Sequence, residues 1–258
     1  MTAHLPLSGI VTTLNNAATL DDCLASLQAC CDELVVLDSG SSDATCDIAR
    51  RYGARVLVEP FKGYSAQKQS AIEYATHDWI LLLDSDEALA SGAAAEIARV
   101  LAAPACVGYR LRRREWLFWR WQSPAARHNR YVRLFDRRRA RMSGQHVHES
   151  VVAEGVVADL DALILHRGDR DIASKVDKAN RYSTLQVMDR RGRRPALLGA
   201  RLVLYPTIAF LRYYLLRGHF RAGWAGYTAA RIHAFYAFMK YAKLYEEACR
   251  HDGLDRDA

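Results

Sequence analysis

Trp79-Ile80-Leu81-Leu82-Leu83-Asp84-Ser85-Asp86-Glu87 is the stretch that decides the fold. Its unbroken apolar run is too short for a core helix and reads as a strand buried on both faces. The run stops abruptly at Asp84, and Asp86 and Glu87 follow at once. Strands covered on both sides belong to sheets with helices on both faces, where ligands sit at the carboxyl ends of the strands. The sequence upstream repeats the pattern. Leu7 to Thr13 reads as a strand, and Thr19 is an N-cap for a helix through Leu20, Leu24 and Leu27. Leu34-Val35-Val36-Leu37 is a second wholly apolar strand. Asp43 opens a helix to about Tyr52, Ala54 to Val58 is a strand, and Tyr64 to Tyr74 is a helix. Beyond the deciding stretch, Ser91 caps a helix to about Leu101. The expected class is α/β, a Rossmann-like, mainly parallel sheet with helices on both faces.

The middle of the chain is less regular. Gly108 to Arg114 and Tyr131 to Phe135 read as strands around an aromatic and basic loop, Trp116 to Arg130. From Asp171 onward the pattern is helical. Residues 1–170 are therefore expected to form the ligand-binding α/β domain and 171–258 a helical C-terminal region. Pro195 to Arg217 is strongly apolar but is interrupted by Arg201 and Arg212. A spanning helix needs about 20 mostly apolar residues and tolerates central charge poorly. A helix lying on a membrane surface is the expectation, with a buried core helix as the alternative.

Half of the residues are hydrophobic and a quarter charged, which excludes a disordered chain. Residues 1–14 carry no basic n-region, so no secretory leader is expected. The six cysteines show no paired CxxC spacing, which argues against structural zinc and for reduced thiols in a cytosolic protein. Charge is unevenly spread. Residues 1–100 hold six basic against fourteen acidic residues, residues 101–166 twelve against six, and residues 167–258 eighteen against nine. A basic second half points to a polyanionic partner: nucleic acid, an anionic membrane or a phosphorylated acceptor.

Asp84 and Asp86, two apart on a turn, can converge on one hard cation such as Mg²⁺ or Mn²⁺, whose remaining ligands come from phosphates and water. The plainer reading is helix capping ahead of Ala88. Asp38, at the end of the second strand, can hydrogen-bond a ribose or a base edge, and Gly40 permits a tight turn and close backbone approach to a ligand. An ordinary turn before an Asp43 cap explains the same residues. Lys68 is either a nucleotide or phosphate contact or a solvated helix face. Arg110, Arg112, Arg113 and Arg114, with Trp116, Trp119 and Trp121, suit a sugar with phosphates, or RNA. The His146-Val147-His148-Glu149 run lacks the i, i+4 histidine spacing of zinc proteases.

These pieces occur in one order, and that order carries a resemblance. SGIVTTLN (8–15), LVVLDSGSSDAT, DIARRYGARV, GYSAQKQSA and WILLLDSDE resemble the family 2 glycosyltransferases. GYRLRRREWLFWRW, YVRLFDRRRARMSG, VHESVV, LILHRGDRD, KANRYS and the stretch from Gly218 resemble one bacterial branch, the lipopolysaccharide inner-core β-glucosyltransferase-like proteins. The resemblance implies a GT-A fold, a nucleotide-sugar donor (UDP-glucose), a divalent metal (Mg²⁺ or Mn²⁺) and anomeric inversion. It implies that Asp38 holds the uridine or ribose, and that Thr12, Thr13, Asn15, Gly40 and Lys68 line the nucleotide. It also implies that Asp86 binds the metal, with Asp84 reaching the ribose or the metal. The pair Asn15-Asn16 departs from the Asn-Glu common in the family. An inverting transfer needs one general base. Glu149 is the expected base, with His148 beside it and His166, which closes the apolar Leu163-Ile164-Leu165 run, facing the same cleft or the metal. The acceptor implied is an anionic glycolipid rather than nucleic acid, reached from the inner face of the inner membrane. Two rivals fit less well. A nucleotidyltransferase needs a Gly-rich basic loop after the first strand, and Thr13 to Ala17 has neither glycine nor a basic residue. A non-catalytic nucleic-acid or membrane-binding module leaves Asp38, Asp84, Asp86 and Glu149 without a role.

Overall fold

A computed structural model describes residues 5–144, 150–168, 171–188 and 197–251. The amino-terminal half alternates strands and helices: β1 (Leu7–Thr13), α1 (Ala17–Gln28), β2 (Glu33–Asp38), α2 (Thr45–Arg51), β3 (Arg55–Val58), α3 (Tyr64–Glu73), β4 (Trp79–Asp84), a short β5 (Glu87–Leu89) and α4 (Ala93–Ala102). The later strands are β6 (Gly108–Leu117), β7 (Arg120–Trp121), β8 (Asn129–Asp136), β9 (Ala140–Met142), β10 (Val151–Ala153) and β11 (Val157–His166).

Alternate residues of the central strands face opposite layers, as the two-residue strand period demands. Leu7 and Val11 of β1, Leu34 and Val36 of β2, and Leu81 and Leu83 of β4 pack with Leu20, Leu24 and Leu27 of α1 and with Ile97 and Leu101 of α4. Their neighbours Ile10, Val35, Leu37, Ile80 and Leu82 pack with Ala71 and Ile72 of α3 and with Phe135. Helices thus cover both faces, as the all-apolar strand runs require.

The main sheet runs β3-β2-β1-β4-β8-β6-β11-β5. Its first four strands are parallel, but β8 is antiparallel to both β4 and β6, and β5 is antiparallel to β11. The expectation of a mainly parallel sheet is therefore corrected to a mixed one. Of the strands after α4, β8 returns antiparallel between β4 and β6, while β11 lies parallel to β6, reached through β9 and β10 rather than a crossover helix. Two expected caps also move. Helix α1 begins at Ala17 with Asn16 as its N-cap, not Thr19, because Thr19 spends its hydroxyl on the Ser85 carbonyl at 3.0 Å. Helix α4 begins after Gly92 rather than Ser91, with Gly92 in the left-handed conformation at φ 83°. Asp43 lies just outside α2, where its carboxylate accepts the Thr45 backbone N–H at 3.0 Å. Residues 87–89 form a strand and not the helix that capping ahead of Ala88 supposed.

The chain divides into two compact units. One holds residues 1–115 and 128–168, and the other holds 116–127 and 169–258. In the second unit, α5 (Ile172–Met188) and α6 (Leu198–Leu211) each pack on the long α7 (Gly223–His251). A π-helical turn (Arg212–Leu216) and a 3₁₀ turn (His219–Ala222) link α6 to α7. Leu117 and Phe118 pack on Ala222, Ala225 and Ala229. No residue of α6 is fully buried, although Leu198 and Leu202 pack against the cluster of Val187, Tyr241 and Leu244. Val203 is 70% exposed and Leu216, in the π turn, 76%. Among the described residues no helix is long and apolar enough to cross a membrane.

One backbone position limits how closely the parallel half can pack. A Cβ on Gly9 of β1 would lie 2.9 Å from Leu34 Cδ2 and 3.0 Å from Cys31 Sγ. Gly9→Ala is expected to lower the unfolding free energy by about 1–3 kcal/mol, the usual cost of overpacking a core. Urea denaturation followed by circular dichroism measures it, and an unchanged midpoint would contradict the tight contact.

Candidate active site

The strand order reverses between β1 and β4, the switch point at which open α/β sheets open a crevice. Parallel register sets Thr13 beside Asp38 and Thr12 beside Asp84. The carboxyl end of β1 therefore lies between the two acids that the sequence singles out. The Thr13 hydroxyl is buried there with no hydrogen-bond partner among the described residues.

Asp38 is 1% exposed and organises its own turn. Its Oδ2 accepts the backbone N–H groups of Gly40 at 2.8 Å and Ser41 at 2.7 Å, and its Oδ1 accepts the Ser41 hydroxyl at 2.5 Å. Gly40 supplies the positive φ of 96° that closes the turn. Asn15, also at positive φ (49°), clamps the same loop from β1: its N–H donates to Ser41 Oγ at 2.8 Å and its Oδ1 accepts the Ser42 N–H at 2.8 Å. Asn16 donates through its side-chain amide to Ser85 Oγ at 2.7 Å, and so holds the turn between Asp84 and Asp86.

The second acid cluster is a continuous ionic chain. Lys68 is 5% exposed, which excludes the solvated-face reading, and its Nζ lies 2.6 Å from Asp84 Oδ1. Arg133 Nη2 lies 2.8 Å from Asp84 Oδ2 and 2.8 Å from Glu87 Oε1. Arg113 Nη1 reaches Glu87 Oε1 at 3.1 Å, and its Nε reaches Glu115 Oε1 at 3.0 Å. Glu115 Oε2 lies 2.5 Å from His166 Nδ1, and His166 Nε2 lies 3.3 Å from Asp86 Oδ2. Tyr131 lies under Arg113, 4.4 Å from guanidinium carbon to ring centre.

Burial alone would raise the Asp84 carboxyl, but the charges of Arg133 and Lys68 hold it well below the usual carboxylate range. Burial likewise opposes ionisation of Glu115, yet the His166 hydrogen bond and the Arg113 charge bring it down to about 2. Burial lowers His166, but its hydrogen bonds to Asp86 and Glu115 carry it up to about 10. Cys23, whose Sγ lies 3.6 Å from the Asp84 carbonyl oxygen, is pushed well up by burial and by Glu87 and Asp84. It is a packed thiol, not a nucleophile.

The structure thus brings Thr12, Thr13, Asn15, Asp38, Gly40, Lys68, Asp84, Asp86 and His166 to one end of the sheet. His148 and Glu149 lie outside the described residues. Arg113, expected to meet acceptor phosphates, turns inward. Arg110 and Arg112 pair instead with Asp159 at 3.6 Å and Asp161 at 2.6 Å. Glu87, Glu115 and Arg133 were not singled out as site residues. Arg133 alone carries a local signal, a charge inside an otherwise apolar strand: it interrupts Val132-Arg133-Leu134-Phe135 and is 6% exposed.

Asp86 offers a carboxylate oxygen and His166, once a metal has displaced the Nε2 proton that faces Asp86, an imidazole nitrogen; the pair would suit Mn²⁺ and leave sites for phosphate oxygens. Gly168 keeps their approach open: a Cβ there would collide with the His166 ring and fall 3.3 Å from Asp86 Oδ2. Among the described residues no group of three or more such side chains is arranged to hold a metal by itself. Phosphate oxygens would have to complete the coordination.

Comparison with known proteins shows the family to which the chain belongs. Residues 8–153 match the family described as glycosyl transferase family 2. The chain is 35% identical over 257 residues to the lipopolysaccharide core biosynthesis glycosyltransferase LpsC of Rhizobium meliloti (strain 1021), covering 95% of this chain and 94% of that protein. It is 30% identical to an uncharacterized glycosyltransferase of Rickettsia felis, over 93% of this chain and 89% of that protein. Among solved structures, the mannosyltransferase PcManGT of Pyrobaculum calidifontis, in complex with GDP-Man and Mn²⁺, superposes with a TM-score of 0.58. The alignment covers 95% of this chain and 88% of that one, at 16% identity, and bears on the fold alone.

Proposed function

Because the chain belongs to glycosyl transferase family 2 and is a glycosyltransferase with a GT-A-like α/β fold, we propose that it is an inverting, metal-dependent hexosyltransferase. Its donor is UDP-glucose and its acceptor is a glycolipid, the lipopolysaccharide inner core. The observation that carries this reading is the placement of Asp38, Lys68, Asp84, Asp86 and His166 around the carboxyl ends of β1, β2 and β4. LpsC, a relative that aligns with nearly the whole chain and is described as acting in lipopolysaccharide core biosynthesis, supports the choice of acceptor.

Thr12, Thr13 and the Asp38 turn would receive the nucleoside, with Asp38 on the uridine or ribose. Asp84, already charge-matched by Lys68 and Arg133, suits ribose hydroxyls better than a second cation contact. Asp86 and His166 would hold a divalent ion, which when bound supplies positive charge against the leaving diphosphate. Lys68 adds a second positive group on the same side. Glu149 serves as the general base on the acceptor hydroxyl, with His148 beside it; a carboxylate is ionised and ready for this at neutral pH. The helical unit docks on the anionic inner face of the inner membrane through the exposed apolar residues of α6 and its π turn. Arginines such as Arg201 and Arg212 lie among them, each basic group near such a surface adding about 1 kcal/mol.

In a transfer assay with UDP-glucose and purified core glycolipid, Asp86→Ala is expected to lose turnover through loss of the metal. Residual activity above a tenth of wild type would rule out Asp86 as the principal metal ligand. Glu149→Gln is expected to keep donor binding while turnover falls by about 10²-fold or more; near-normal turnover would assign the base to another carboxylate. For the membrane contact, the double variant Leu204→Glu/Leu216→Glu should stop cosedimenting with vesicles containing anionic phospholipid. Undiminished cosedimentation would sink the α6 docking surface.

A further inference from the structure

We infer that Glu115 is a positioning residue for the metal site: it fixes the His166 ring so that Nε2 faces Asp86, and it ties that pair into the ionic chain that holds Asp84. The inference rests on the proposed metal role of Asp86 and His166.

The sheet itself creates the juxtaposition. In β11, His166 stands in register with Glu115 of β6 on one side and with Glu87 of β5 on the other. Residues two apart on a strand share a face, so Arg113 and Glu115 of β6 point the same way and meet through Nε and Oε1 at 3.0 Å. The other oxygen of Glu115 is spent on His166 Nδ1 at 2.5 Å. With Nδ1 engaged, Nε2 is the ring nitrogen left toward Asp86, 3.3 Å away. Histidines that hold metals commonly give their other nitrogen to a carboxylate, which sets tautomer and ring orientation, and losing that partner weakens metal binding about 10–100-fold. Beside the ring there is room only for a glycine at position 168, where a Cβ would collide with it. From Glu115 the chain continues through Arg113, Glu87 and Arg133 to Asp84. Asp84 and Asp86, two apart along the sequence, are thus also joined through four strands of the sheet. A base role for Glu115 is disfavoured, since both of its oxygens are already engaged.

Mn²⁺ binding to the full chain in the presence of UDP, read as loss of the free Mn²⁺ electron paramagnetic resonance signal, tests this without turnover. Wild type should bind, and Glu115→Gln should bind about 10–100-fold more weakly. Nuclear magnetic resonance of ¹⁵N-histidine-labelled, metal-free protein supplies the structural readout: the far-downfield proton of the short His166–Glu115 hydrogen bond should be present in wild type and lost in Glu115→Gln. Gly168→Ala keeps the Glu115 carboxylate but pushes on the His166 ring, and it too should weaken Mn²⁺ binding. Equal Mn²⁺ affinity in wild type and both variants would overturn the role of Glu115 while sparing the metal reading. A wild type that binds no Mn²⁺ with UDP present would overturn the metal reading, and this inference with it.

Discussion

The Asp84 carboxylate stands at the end of an apolar strand, where an unmatched charge is costly, and the structure answers it with Lys68 on one oxygen and Arg133 on the other. Much of the site's architecture follows from that requirement. Lys68 must be buried on α3, so α3 must sit over the ends of β1 and β4. Arg133 must reach across from β8, and its remaining contact draws in Glu87, which is fully covered and needs charge of its own. Removing one partner of such a buried pair costs about 3–5 kcal/mol, so the acids and bases hold their places together or not at all.

The two halves of the main sheet divide the work. The parallel half, β3-β2-β1-β4, provides the crevice in which a nucleotide is proposed to lie, with backbone and short side chains at the strand ends. The mixed half, from β8 to β5, provides the long charged side chains: Arg133 from β8, Arg113 and Glu115 from β6, His166 from β11 and Glu87 from β5. The antiparallel return through β8 is what brings arginines from the basic middle of the sequence to the acidic strand ends of the first hundred residues. The opposite charges of those two segments are thus partly an internal match. The remaining excess of basic residues in the carboxy-terminal segment is left for a partner, which in the proposed reading is an anionic membrane.

Much of the parallel half was legible in the sequence, because short all-apolar runs separated by amphipathic helices have few other solutions. Asp38, Asp84 and Asp86 were legible for the same reason: each falls where such a run stops. The mixed half was not, since nothing local in Gly108–Arg114 or Tyr131–Phe135 states strand direction, and direction is set by which neighbour completes the sheet. Arg113 illustrates the cost. Read along the sequence it belongs to a basic ligand-binding stripe, but the strand period turns it inward onto Glu87 and Glu115. Lys68 errs the other way, since an isolated lysine on a helix gives no sign that an aspartate sixteen residues on needs it. Glu149 was read from resemblance, and its residues lie outside those described.

The central claim is that the ends of β1, β2 and β4 form a metal-assisted nucleotide-sugar site. Calorimetric titration of the purified chain with a panel of nucleotide sugars, with Mn²⁺ and again with the ion chelated, tests it most directly. The account predicts that UDP-glucose binds with Mn²⁺ present and that chelation abolishes or sharply weakens the binding. Absence of binding by any nucleotide sugar at millimolar concentration, or binding indifferent to chelation, would contradict it.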